Sequence, residues 1–219
     1  MVDRDEGRMS NNISHILLNV MFVALPSVLV TRFSLLGRHE RISPATIAVV
    51  SAVSIAGCMV FPFEISPGIT CDLRLVPLAA SVVYGGLPVG VGLSAAMLVP
   101  EMLTAVKDWP SDQAGTGAAI EYLIAVFSAY AVRGRIVSAD GRRRKWVWSL
   151  LLAVLLAVAL AAGEAGTGRV PALGMLAPML ILQSLALLFV IAASEQLRES
   201  VRRLRETVRK EKLTANRSL

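Results

Sequence analysis

The chain has 219 residues and a net charge of +6, with 55% hydrophobic, 17% charged and only 5% aromatic residues. A soluble domain carries about 25% charged residues. The composition therefore excludes an ordinary soluble domain and predicts an aliphatic integral membrane protein with a polar tail.

Apolar runs predict seven helices, because a spanning helix needs about 20 mostly apolar residues. In chain order these are Ile13–Leu35 with a kink at Pro26, Pro44–Phe61, Cys71–Tyr84, Pro88–Leu103, Gly117–Val132, Trp146–Ala162 and Pro171–Ala193. The third and fourth are short, which predicts tilted helices or a partly re-entrant hairpin, and a six-helix bundle remains an alternative. The predicted fold is all-α: a polytopic transmembrane bundle over residues 1–193, then a cytoplasmic helix over residues 194–219 that leads to an output domain outside this chain.

Basic residues concentrate in three regions that fall on one side of the membrane in a seven-helix topology. Residues 32–41, residues 133–145 and the tail from residue 194 hold 17 of the 22 basic side chains. The positive-inside rule then places the N-terminus outside and the C-terminus in the cytoplasm. The positive charge faces anionic lipid, and no interleaved aromatic pattern supports nucleic-acid binding.

The tail carries an apolar stripe at Leu197, Val201, Leu204 and Val208. The spacing of four, three and four residues is that of a coiled-coil seam. It predicts a short parallel coiled coil that continues the seventh helix and makes the protein a homodimer. An amphipathic helix on the membrane surface is the alternative.

Ionisable residues near the predicted helices collect in the outer half of the bundle. Such residues are rare in membrane segments and are functional candidates by default. Their common depth predicts a wet pocket for a small polar ligand. Its candidate residues are Glu64, Asp72, Arg74, Tyr84, Glu101 and Glu121.

Asp72 and Arg74 are two positions apart, so on a helix they point in different directions and each needs a partner elsewhere. A guanidinium holds a carboxylate with two parallel hydrogen bonds, so Arg74 is predicted to pair with Glu101 or Glu121. The alternative is that these charges only lock three helices together.

The sequences Asp72-Leu-Arg74 and Tyr84-Gly85-Gly86 resemble the hallmark of the LytS/YhcK-type (LYT) membrane sensor family. The resemblance covers about residues 47–135. It implies the receptor region of a bacterial histidine kinase, of the sporulation kinase B type, or of a membrane diguanylate cyclase. The implied location is the bacterial cytoplasmic membrane. Where the family commonly has Tyr-Arg, this chain has Pro100-Glu101, which shifts the expected ligand to a cationic or zwitterionic one or favours an internal Arg74–Glu101 pair.

No enzyme is expected within this chain, because it has no nucleophile elbow, phosphate-binding loop, kinase phospho-acceptor motif or GGDEF sequence. His15 and His39 are isolated, so neither a metal site nor a cofactor is predicted. Cys58 and Cys71 have no metal-ligand spacing and are interpreted as buried free thiols, with a disulfide between them near the outer surface as the alternative.

The sequence therefore favours a membrane sensor that detects an extracellular or membrane cue and transmits it through its last helix. The main alternative is the substrate-binding subunit of a vitamin-type transporter, which is similar in size but needs no dimer-forming coiled coil. A purely structural membrane protein is the third possibility, in which the polar residues would only pair with one another.

Overall fold

The computed structural model describes residues 12–25, 43–66, 69–107, 113–138, 142–166, 178, 181–193, 196, 199, 200, 203, 206 and 207. Most of these residues are helical; the others form one short two-stranded sheet and the segments that connect the elements. The helices are α1 Asn12–Leu25, α2 Pro44–Val60, α3 Leu75–Gly85, α4 Leu87–Lys107, α5 Gln113–Ser138, α6 Arg142–Gly166 and α7 Ile181–Ala193. The strands are β1 Phe63–Ser66 and β2 Ile69–Cys71, and they pair antiparallel.

For six of the seven predicted helices, most of the predicted ends that fall within the described residues lie within a few positions of the observed ends. The predicted part of the first helix beyond residue 25, including Pro26, lies outside the described residues, as does the predicted start of the seventh at Pro171. In α2, the Ser43 hydroxyl accepts a hydrogen bond from the Thr46 amide at 3.1 Å, and Pro44 occupies the first turn. A side-chain N-cap and a proline in the first turn both favour the start of a helix.

The predicted start of the third helix at Cys71 is wrong. Residues 69–71 form β2, and the helix begins only at Leu75. Ile69 and Thr70 are β-branched, which favours an extended chain, and the dipeptide Pro67-Gly68 before them has a turn-forming sequence. Apolar content alone does not separate a buried strand from a helix.

Helix α3 forms the centre of the bundle. Nine of its eleven residues are buried, as expected for a helix that is apolar on every side. It ends at Gly86, whose φ of 93° and ψ of 177° are accessible almost only to glycine. Helix α4 starts at the next residue, and the side chain of Val82 occupies the space that a Cβ on Gly90 would need, so the glycines of the Gly86-x-x-x-Gly90 segment serve close packing.

The described helices have an apolar exterior. Large apolar side chains are exposed on every helix except α3; they include Leu17, Met21, Val49, Val53, Val91, Val99, Leu123, Phe127, Leu150, Val154, Ile181, Leu185 and Phe189. By length and composition, one helix in the described part of the chain could span a membrane: α6, over residues Arg144–Gly163. Helix α3 is only about 16 Å long, about half the thickness of a bilayer's hydrocarbon core.

Successive helices from α3 to α6 run in opposite directions, so the bundle has two distinct ends. The start of α3 meets the end of α4 and the start of α5; we call this the Arg74 end. The end of α3 meets the later part of α5 through Arg133; we call this the Arg133 end. Asp72 and Glu101 lie at the Arg74 end, whereas Arg133 and Arg135 lie at the other.

The predicted coiled-coil residues Leu197, Val201, Leu204 and Val208 lie outside the described residues. Six tail residues between 196 and 207 are described, and all are helical and exposed. Arg203 donates a hydrogen bond to Glu199 at 2.6 Å, one helical turn away.

Candidate functional site

The site begins in the non-helical residues that lead into α3. Asp72 Oδ1 accepts a hydrogen bond from the backbone amide of Arg74 at 3.0 Å and lies 3.4 Å from the Arg74 Nε. The prediction that these two side chains point in different directions is therefore wrong. It assumed a helix, whereas the chain here makes a turn in which an aspartate bonds the amide two residues later.

The guanidinium of Arg74 connects three elements. Its Nη1 donates to Glu101 Oε1 of α4, and its Cζ lies 5.3 Å from the centre of the Tyr122 ring of α5. Glu101, one of the two predicted carboxylate partners, forms an ion pair with Arg74. Pro100 precedes Glu101 inside α4, where the helix lacks one backbone hydrogen bond.

Tyr122 completes the network. Its ring is fully buried, and its hydroxyl donates to Glu101 Oε1 at 2.6 Å. The same carboxylate oxygen therefore accepts from both Arg74 and Tyr122. Sequence reasoning missed Tyr122, although a tyrosine in an apolar helix, next to an acidic residue, is a usable signal because a buried hydroxyl needs a partner.

Glu121 lies beside this network on the first turns of α5. It is 7% exposed and close enough to the Arg74 guanidinium for the two groups to interact electrostatically. A Cβ added to Gly163 of α6 would lie 2.9 Å from Glu121 Cβ and 3.2 Å from its Oε2. Gly163 therefore leaves the space that Glu121 occupies between α5 and α6.

We call Asp72, Arg74, Glu101, Glu121 and Tyr122 the Arg74 cluster. It sets one guanidinium against three carboxyl groups. Asp72, Arg74 and Glu101 are each about a fifth exposed, so a solute that reaches this end of the bundle can touch them. The cluster can exchange its internal ion pair for one with a bound group, and its acidic excess favours a group that carries positive charge.

The two other predicted site residues lie in β1 and near the end of α3. The backbone of Glu64 in β1 is bound by the side chain of Asn12. Tyr84 lies at the Arg133 end, about 15 Å along α3 from Arg74. Helix α3 separates the Tyr84-Gly85-Gly86 segment from Asp72 and Arg74 by its whole length, so the structure does not bring Tyr84 together with the Arg74 cluster.

Two further residues with structural consequences were not predicted. Asn19 of α1 is completely buried and bonds the backbone on both sides of the β-sheet segment. Arg133 of α5 donates from Nε to the carbonyl of Val83 at 3.0 Å, at the end of α3. A lone asparagine within an apolar run was the available signal for the first, since buried polar side chains need partners.

Within the residues that the structure describes, no group of three or more His, Cys, Asp or Glu side chains is arranged to hold a metal ion. Cys58 is buried and is a free thiol. No family model, curated protein or solved structure matches this chain.

Proposed function

We propose that this chain is a multi-pass membrane protein. The apolar side chains exposed on six of the seven described helices support this proposal, because a soluble protein rarely exposes apolar patches larger than a few hundred Å². The short α3 is compatible with it, since irregular backbone within a membrane protein is tolerated where other helices surround it. The basic Arg133 end would then face the cytoplasm.

Within that protein, the Arg74 cluster is the site of a sensor that detects a small polar or cationic group, or a change in the membrane, from the outer side. The single observation that carries this proposal is the ion network that joins α3, α4 and α5 through Arg74. Charges in an apolar bundle cost several kcal/mol unless they are paired or wet. A ligand can bind Arg74 or Glu101 in competition with the internal ion pair. It then shifts the equilibrium between two arrangements of the helices by the difference in its affinity for them.

The signal passes through α7 and the helical tail to a cytoplasmic output domain of the histidine kinase or diguanylate cyclase type. The helical, exposed tail residues after α7 support a continuous signalling helix. The resemblance of Asp72-Leu-Arg74 and the Tyr84-Gly-Gly turn to the LytS-type sensors supports the same assignment. In this proposal the protein is a homodimer in the bacterial cytoplasmic membrane.

The test joins the whole chain, through its own tail, to a histidine-kinase output with a transcriptional reporter. Arg74→Gln and Glu101→Gln are expected to fix the reporter at one level, whereas Arg135→Gln at the Arg133 end leaves its range unchanged. The three proteins are compared at equal membrane content by immunoblot. Unchanged reporter output in both cluster variants would show that the Arg74 cluster only holds helices together.

A further inference from the structure

Polar side chains on one face of α1 bind main-chain atoms of the segment that follows α2. Asn12, His15 and Asn19 are spaced three and four residues apart, so they lie on the same side of the helix. Asn12 Nδ2 donates to the Glu64 carbonyl at 2.6 Å, and Asn12 Oδ1 accepts from the Glu64 amide at 2.8 Å. The ring nitrogen Nδ1 of His15 lies 2.7 Å from the Pro62 carbonyl oxygen, to which it donates.

Asn19 makes the contacts nearest the Arg74 cluster. Its Nδ2 donates to the carbonyl of Phe61, where α2 ends, and to that of His15 at 3.2 Å. Its Oδ1 accepts from the amide of Leu73 at 3.2 Å. Leu73 lies between Asp72 and Arg74, so one buried amide group ties the end of α2 to the start of the site.

We infer that Asn19 is a positioning residue for the Asp72–Arg74 segment and that the docking of α1 is coupled to the state of the Arg74 cluster. If the start of α3 moves when the Arg74–Glu101 pair opens, the Leu73 amide must leave Asn19. A buried amide without a partner is costly, so that movement loosens α1. Coupling between two sites is reciprocal, so loosening α1 must also weaken the ion pair. This inference rests on the proposed function only in treating the cluster as the sensing site.

Cys58 is a natural reporter of this docking. Its thiol is completely buried, and its Sγ lies 3.9 Å from the carbonyl oxygen of Asn19. The surrounding contacts also join α1 to α2: the Ser54 hydroxyl donates to the Phe22 carbonyl. A maleimide reaches Cys58 only when α1 moves away from α2, so the rate of modification measures the fraction of undocked α1.

The experiment uses the whole chain with Cys71→Ser, in lipid nanodiscs, treated with N-ethylmaleimide and followed by intact mass. Asn19→Leu is expected to raise the rate of Cys58 modification at least tenfold. Arg74→Gln, which removes no contact of Cys58 or Asn19, is expected to raise it at least threefold. Arg135→Gln is the matched control and leaves the rate unchanged.

A rise with Asn19→Leu but none with Arg74→Gln would overturn the coupling and leave Asn19 a purely structural clamp. If Asn19→Leu does not accumulate, Asn12→Ala replaces it and is expected to raise the rate about threefold. An unchanged rate in both α1 variants would also overturn the inference. The maleimide assay tests the coupling of α1 to the Arg74 cluster, and the reporter assay tests signalling. Failure of one proposal can therefore be distinguished from failure of the other.

Discussion

The hydrogen bond from Tyr122 to Glu101 allows the strength of the Arg74 cluster to be measured with a one-atom change. Tyr122→Phe removes the hydroxyl and keeps the ring that Arg74 faces at 5.3 Å. Hydrogen bonds to charged groups contribute about 1.5–3 kcal/mol. Glu101 is 20% exposed, so water partly replaces the lost donor, and we expect the free energy of unfolding to fall by about 1.5 kcal/mol, the lower end of that range.

The assay is reversible unfolding of the purified chain by SDS in mixed micelles, followed by circular dichroism. Tyr130→Phe on the same helix is the matched control. Tyr130 is 47% exposed, so its variant should stay within about 0.5 kcal/mol of the unmodified chain. This control separates loss of the Glu101 bond from a general effect of removing a tyrosine hydroxyl.

A double-mutant cycle with Glu101→Gln then tests whether the two residues act as one network. Glu101→Gln alone removes the charge that Arg74 and Tyr122 share. In that background Tyr122→Phe should cost less, which gives a coupling free energy of about 1 kcal/mol. Effects that add to within about 0.3 kcal/mol, or a Tyr122→Phe variant as stable as the control, would refute the shared-acceptor arrangement.

In the same unfolding assay, two glycine-to-alanine substitutions should lower the free energy of unfolding, whereas their two control substitutions should raise it slightly. Gly163→Ala forces a Cβ against Glu121 and should destabilise the chain by about 1–3 kcal/mol, whereas Gly92→Ala meets nothing within 4 Å and should stabilise it slightly. Gly86→Ala places a side chain at a φ of 93° and should cost about 1–3 kcal/mol, whereas Gly134→Ala, inside α5 with open space around it, should stabilise by about 0.5 kcal/mol. A destabilised Gly92 variant, or a neutral Gly86 variant, would contradict the packing and backbone geometry from which these values follow.

The helices and the partner of Arg74 could be predicted from the types of residue and their order in the sequence. Long aliphatic runs indicate helices. An arginine among them needs a carboxylate at the same depth in the bundle, and Glu101 and Glu121 were the candidates in the neighbouring helices. The position of β2 could not be predicted, because Ile69, Thr70 and Cys71 are as apolar as the helix that follows. The direct contact of Asp72 with Arg74 was missed for the same reason, since a helix was assumed where the chain turns.

The roles of Tyr122 and Asn19 depend on tertiary contacts that residue spacing does not reveal. Tyr122 is one of three tyrosines in the chain; its acidic neighbour Glu121 sets it apart from the exposed Tyr130, but only the fold shows that its partner is Glu101. Asn19 binds atoms of the main chain at Phe61 and Leu73, more than 40 positions away. A side chain that recognises backbone leaves no complementary residue in the sequence from which it could be inferred.

The charges at the two ends of α3 explain why the Arg74 cluster needs an acidic excess. A helix carries about half a positive charge at its N-terminus and half a negative charge at its C-terminus. Arg133 at the C-terminal end is therefore in a favourable place, whereas Arg74 at the N-terminal end faces a like charge. Asp72 and Glu101 offset both the guanidinium and the positive end of the helix. In the proposed sensor, a charge bound at the start of α3 would therefore act on the balance between two arrangements.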